Sequence, residues 1–276
     1  MGKLTEVNTI LLEIRGKSGD NYAEISIPYS KGDKLTLEYA RIEDQQGNII
    51  RVLKKGEISE KSNISDISLF EDNYIKSFEL KHNVYPYRVR YQWKYTYSHF
   101  QEIIRWIPFI DNKVPTEYAR LEVQTPVGFP VKIFRNGIDN FKCDTTTSGV
   151  TYSFEATRLK FPDKENNAFP AIKYASQVWM VPEKFTWIVS GSHKSWDEFG
   201  NWIYRLNEGA DDISEADAQA VRALIKGISS KREIINILYK YLQEQTRYIN
   251  VSIGPGGLKP FPASYVIKIN MAIVRL

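Results

Sequence analysis

Between residues 7 and 156 apolar and polar positions alternate with a period of two. The longest such run is 87–97, where Tyr87, Val89, Tyr91, Trp93, Tyr95 and Tyr97 alternate with Arg88, Arg90, Gln92, Lys94 and Thr96. Period two puts the two sets on opposite sides of a strand. A sandwich buries one face of each strand, so the aromatic set predicts core packing and the basic set a solvated face. Shorter runs at 7–15, 22–27, 35–43, 49–53, 121–125, 131–135 and 150–156 read as further strands. The Gly and Asp stretches at 16–19 and 44–47 read as turns. Many short strands separated by turn signals predict a mainly β chain, with an antiparallel β-sandwich over 1–160.

The period then changes. Residues 161–194 carry Pro162, Pro170 and Pro182 and read as a linker or crossover, with one more strand at 178–181. From 195 the spacing is helical. Ser195 with Glu198, and Ser230 with Glu233, have the spacing of capping boxes, and Ser214 can cap a helix between them. The first helix directs Phe199, Trp202, Ile203 and Leu206 inward. The second directs Ala218, Val221, Leu224, Ile225 and Ile228, and the third Ile234, Ile237, Leu238, Tyr241 and Leu242. Residues 248–253 alternate as a strand, and Gly254 to Gly257 form a sharp turn.

Composition narrows the chemistry. The 276 residues are 42% hydrophobic and 25% charged, enough to bury a core. Net charge is +4 with Lys and Arg scattered, which argues against nucleic acid as a partner. No apolar run reaches the ~18 residues of a membrane span. The start, Met-Gly-Lys-Leu, does not read as a signal peptide. One cysteine, Cys143, excludes an internal disulfide, and the three scattered histidines (His82, His99, His193) match no metal-ligand spacing, so no cofactor or metal is expected. Cys143 lies between candidate strands rather than at a helix start and reads as an ordinary β-domain residue. His193 reads as a polar loop residue. The glycines at 254–257 lack the Lys-Ser/Thr of a phosphate loop and read as a turn.

The string 245–266, running from Gln245 through Arg247-Tyr248, Gly254-Pro-Gly-Gly257 and Pro260-Phe-Pro-Ala263 to Val266, resembles the approach to the active site in bacterial transglutaminase-like proteins with an N-terminal β-domain of the DUF3857 type. The stretches 22–29 and 84–93 also resemble that β-domain. The resemblance implies a DUF3857-like β-sandwich at 1–160, and at 195–276 the helical opening of a papain-like α+β core. It further implies a following helix that opens with Gly-Asp-Cys-Lys, whose thiolate the helix dipole favours, and a Cys-His-Asp triad completed by later strands.

After Val266 the chain reads Ile-Lys-Ile-Asn-Met-Ala-Ile-Val-Arg-Leu, with no Cys, His or Asp. No triad residue can be carried over, so the chain is expected to be a non-catalytic, truncated relative and not itself an enzyme. With codons chosen freely, a coding string for Ile-Glu-Asn-Lys-Tyr-Gly-Asp-Cys-Lys-Ala-Leu that loses a single G reads as residues 267–276, so a frameshift is one origin for an aberrant tail there. The resemblance places Tyr248, Gly256, Gly257 and Pro262 as candidates for the wall of a substrate cleft, and it implies a periplasmic or cell-envelope setting. Helices lacking their full sheet are expected to aggregate or lose order beyond 195. The alternative is a stand-alone β-sandwich that binds protein or glycan, on the 87–97 face for example. An enzyme built on Cys143 ranks last.

Overall fold

The computed structural model describes residues 3–63, 70–71, 73–161, 167, 169–170, 173–249, 251–252 and 259–273, with backbone alone at 70, 71, 248, 249, 251, 252, 272 and 273. The chain is mainly β. In order, its strands are β1 (Leu4–Ile14), β2 (Glu24–Ser30), β3 (Lys34–Glu43), β4 (Ile49–Val52), β5 (Ser59–Ser62), β6 (Phe70–Glu71), β7 (Asn73–Glu79), β8 (Tyr87–Tyr97), β9 (Ile104–Trp106), β10 (Thr116–Thr125), β11 (Val131–Asn136), β12 (Asn140–Thr146), β13 (Gly149–Leu159), β14 (Gln177–Pro182), β15 (Lys184–Trp187) and β16 (Val189–Ser192). The helices α1 (Trp196–Leu206), α2 (Glu215–Leu224) and α3 (Lys231–Gln245) follow. The chain then continues through β17 (Arg247–Ile249), β18 (Val251–Ser252), α4 (Ala263–Ile269) and β19 (Met271–Ile273). It divides into two compact units, one holding His99–Trp202 and the other the described residues before and after.

In the second of these units β8 is central. An antiparallel sheet runs in the order β1-β8-β3-β4. Its register sets Ile14 against Tyr87, Leu12 and Ile42 against Val89, and Ala40 against Tyr91, and all seven are buried. The sheet β2-β7-β5 contributes Ile25, Ile27 and Phe78, with Phe78 edge-on to Tyr91 at 5.9 Å. Each such large side chain contributes roughly 1.5–3 kcal/mol. The aromatic set of β8 is therefore core at Tyr87, Val89 and Tyr91, and half-buried from Trp93 to Tyr97.

On the opposite face Glu43 is 1% exposed. Its carboxylate accepts from Arg41 Nε at 2.7 Å and from Arg90 Nε at 2.9 Å. Arg88 pairs with Glu13 at 3.3 Å. The solvated face is thus partly closed by ion pairs between neighbouring strands.

The other unit holds the antiparallel sheets β10-β13-β12 and β11-β14-β9 and the hairpin β15-β16. Val123, Phe154, Ala156, Val178 and Met180 are its main buried strand residues. The stretch read as a crossover carries β14 to β16, because Val178, Met180, Pro182 and Phe185 are buried despite the prolines. The strands β7 and β12 escaped the sequence reading for different reasons. In β7 both faces mix apolar and polar residues, and β12 is an exposed edge with only Phe141 as a large apolar residue.

The starts of α1, α2 and α3 each show the hydroxyl half of the expected cap. The amides of Glu198, Asp217 and Glu233 donate to Ser195, Ser214 and Ser230 Oγ at 3.1, 3.1 and 3.4 Å. In α1 the inward reading holds, with Trp202 and Leu206 buried. In α2, α3 and α4 no described residue is buried. The expected inward set of α2 is half-buried at best, and Leu224 is 42% exposed. No helix among the described residues is long and apolar enough to cross a membrane.

Candidate functional site

The region expected to wall a cleft is built from β17, α4 and β19. Tyr248 lies in β17, which pairs in parallel with β19, so α4 is the crossover of a βαβ unit. The residues 267–273, expected as an aberrant tail, form the end of α4 and the whole of β19. Gly256 and Gly257 lie outside the described residues. Pro262 is the residue before α4, with φ −54° and ψ 143°. Proline has no side chain that can cap the helix, so the first-turn amides need acceptors from elsewhere.

The loop after α1 supplies them. Ala263 N–H donates to Ala210 O at 2.8 Å, and Ser264 N–H donates to Asp212 Oδ1 at 3.2 Å. Ser264 Oγ–H donates to Asp212 Oδ2 at 2.7 Å. These bonds from Ser264 hold the Asp212 carboxyl below its ordinary range, because they favour the charged form. Phe261 and Tyr265 stack at 5.2 Å beside the helix start. Asp212, which receives the start of α4, was not singled out by the sequence reading. Its only signal was an Asp-Asp pair just ahead of the Ser214 cap, 52 residues from its partner.

Among the described residues, Cys143 and the histidines have separate partners. Cys143 is exposed on the edge strand β12, opposite Tyr152 on β13. Among the described residues no hydrogen bond joins it to a histidine. His193 has its Nδ1 2.9 Å from Pro182 O and its ring between Phe185 (4.5 Å) and Phe199 (5.6 Å). His193 is thus a loop residue between β16 and α1, as read from the sequence, and it is packed and hydrogen-bonded there. His82 meets Tyr87 edge-on at 5.8 Å. Among the described residues no group of three or more His, Cys, Asp or Glu side chains is placed to hold a metal ion.

A second surface stands on the outer side of β14. Arg105, Trp179 and Phe134 are direct cross-strand partners on β9, β14 and β11. The Arg105 guanidinium lies 4.2 Å from the Trp179 ring centroid, while Trp179 and Phe134 are 38% and 54% exposed. An aromatic row topped by a cation is a surface on which planar or ring-shaped groups stack.

The fold has a counterpart among solved structures. It is similar to the crystal structure of a candidate protease from Parabacteroides distasonis, with a TM-score of 0.70 at 10% identity. The match covers 99% of this chain and 53% of that one, so the chain spans about half the length of its structural relative. No curated protein matches the sequence. The profile of DUF3857, a domain of unknown function with a solved structure, matches residues 2–162. That is more than half of the chain, and the protein belongs to the DUF3857 family.

Proposed function

We propose that this chain is the non-catalytic front part of a transglutaminase-like, cysteine-protease-like protein: a DUF3857 β-domain together with the helical approach to a catalytic domain. The observation that carries the reading is the fold match, which runs over 99% of this chain and leaves nearly half of the candidate protease unmatched. The Arg-Tyr strand, the Gly-rich turn and the Pro-x-Pro-Ala string at 247–263 add to it. On this reading the chain cleaves no amide bond and transfers no acyl group by itself, since Cys143 has no histidine within hydrogen-bonding reach among the described residues.

Two measurements test it. In the purified chain Cys143 should react with a disulfide reagent at the rate of an ordinary exposed thiol, with no peptide hydrolysis or amine incorporation. An activated thiol with turnover that Cys143→Ser abolishes would sink the reading. The gene should be sequenced past the Pro262 codon. A shifted frame that reads Gly-Asp-Cys-Lys, then later His and Asp, is the outcome the frameshift origin requires.

A second reading, a stand-alone binding module for protein or glycan, draws on the Arg105–Trp179–Phe134 row, whose two aromatic rings are exposed. Binding on a glycan array that Trp179→Ala abolishes while the fold is kept would favour it. An array blank for both proteins would remove its glycan form.

A further inference from the structure

The strand β12 is an open edge. It ends the sheet β10-β13-β12, and among the described residues no strand pairs with its outer side. It reads Asn-Phe-Lys-Cys-Asp-Thr-Thr from 140 to 146, and every residue but Phe141 is exposed. Such an edge presents a row of N–H and C=O groups that accept another strand, and edges are commonly blunted by proline, a bulge or charge. In β12 there is no proline, and the register with β13 runs from Asn140↔Glu155 to Thr146↔Gly149 without a shift. Its one charge of the blunting kind, Lys142, is offset two residues later by Asp144.

The charge pattern of this edge is its own complement. Lys142 and Asp144 share one face of the strand, opposite Ser153 and Thr151 of β13, with Cys143 between them on the other face. Both are exposed, and among the described residues neither is in an ion pair. On the far edge of the same sheet, Arg120 and Glu122 of β10 have the same spacing but pair with each other at 2.7 Å.

A second copy laid antiparallel about a two-fold axis at Cys143 sets Lys142 opposite Asp144 twice. The same register sets Phe141 opposite Thr145 and Asn140 opposite Thr146. Moving the axis by one residue puts Lys142 against Lys142 or Asp144 against Asp144, and like charges directly opposite are destabilising. The charges therefore select one register. In it the two Cys143 residues face each other, with Cα atoms roughly 4.5–5.5 Å apart. A disulfide spans roughly 4.4–6.8 Å between Cα atoms, so Cys143 can report the register.

We propose that β12 is a self-association edge, through which two copies of this chain pair antiparallel over Asn140–Thr146 about a two-fold axis at Cys143. The two three-stranded sheets become one continuous sheet with an isologous interface. A single strand pair is smaller than a standard interface, so the dimer is weak and depends on concentration. A second copy fits this edge equally in the front part of a larger protein and in a module that stands alone.

Sedimentation of the purified full chain, combined with oxidation by diamide, tests it. The chain should sediment increasingly as a dimer as its concentration rises. Diamide should trap that dimer, and peptide mapping should recover the Cys143–Cys143 link. Lys142→Asp and Asp144→Lys each set like charges opposite, and each should slow trapping about tenfold. The double variant Lys142→Asp/Asp144→Lys rebuilds both pairs and should regain the original rate, which separates lost pairing from lost folding. An equimolar mixture of the two single variants should trap as the mixed dimer. Cys143→Ser should keep the sedimenting dimer and lose the trapping. A chain that stays monomeric at every concentration, single variants that trap as fast as the original, or a double variant as slow as the single ones overturns the proposal.

Discussion

Gly191 and Phe185 face each other across the β15–β16 hairpin so closely that a Cβ on Gly191 would stand 2.5 Å from Phe185 Cζ. The same Cβ would stand 2.8 Å from Trp202 Cδ1, and Phe185 and Trp202 are themselves edge-on at 5.0 Å. The hairpin can seat the buried Trp202 of α1 only because residue 191 has no side chain. Gly191→Ala should cost about 1–3 kcal/mol as an overpacked core. Gly200→Ala, in mid-helix with open space around it, should gain about 0.5–1 kcal/mol. Thermal unfolding of the two variants should move in opposite directions, and equal midpoints would contradict the packing argument.

Glu43 should shape the acid limb of stability. Burial by itself raises its pKa, but the hydrogen bonds and charges of Arg41 and Arg90 outweigh that and leave it lowered. A lowered folded pKa means that the contribution is present above the ordinary glutamate value of 4.5 and is lost as pH falls through the folded value. Glu43→Gln should cost about 1–3 kcal/mol at neutral pH, because it leaves two guanidinium groups without their carboxylate. The cost should shrink toward acid pH. Urea unfolding at neutral and acid pH checks this, and a cost independent of pH would refute it.

The alkaline limb belongs to the tyrosines. Burial, aided by Glu60, Asp20 and Asp33 beside three of them, pushes Tyr29, Tyr87, Tyr91 and Tyr95 up to about 12. Folded values above the ordinary 10 mean stability that is complete below pH 10 and lost as pH rises through 12. Tyrosinate absorbance at pH 11 should therefore be markedly lower in the native protein than in the guanidinium-unfolded chain. Equal absorbance would show these rings to be solvated.

Asp212 should hold the start of α4. Asp212→Ala removes the acceptors of both bonds from Ser264, whereas Ser264→Ala removes only the hydroxyl donor and keeps the amide bond. Amide hydrogen exchange over 263–269 should be fastest in the Asp212 variant and intermediate in the Ser264 variant. Because the carboxyl is held below its ordinary value of 3.8, the grip should persist at pH 5 and fade only below pH 3.8. Unchanged exchange in Asp212→Ala would show that α4 is held by other contacts.

The sequence by itself determined the β-rich front, the span of β8 and the hydroxyl caps of α1, α2 and α3. Each is a local matter, since a period of two or a serine three residues ahead of a carboxylate acts over a single strand or turn. The cleft-wall candidates came from the family resemblance rather than from local pattern, and only Tyr248 and Pro262 of them fall among the described residues. Local pattern could not separate the two units or find β7, β12 and the hairpin before α1, because their residues are set by partners far along the chain. The tertiary structure alone decided that Asp212 reaches Ser264, that Gly191 makes room for Trp202, and that no described residue of α3 is buried. Those outcomes depend on which surfaces meet, and an amphipathic spacing states that a face is apolar without stating what covers it.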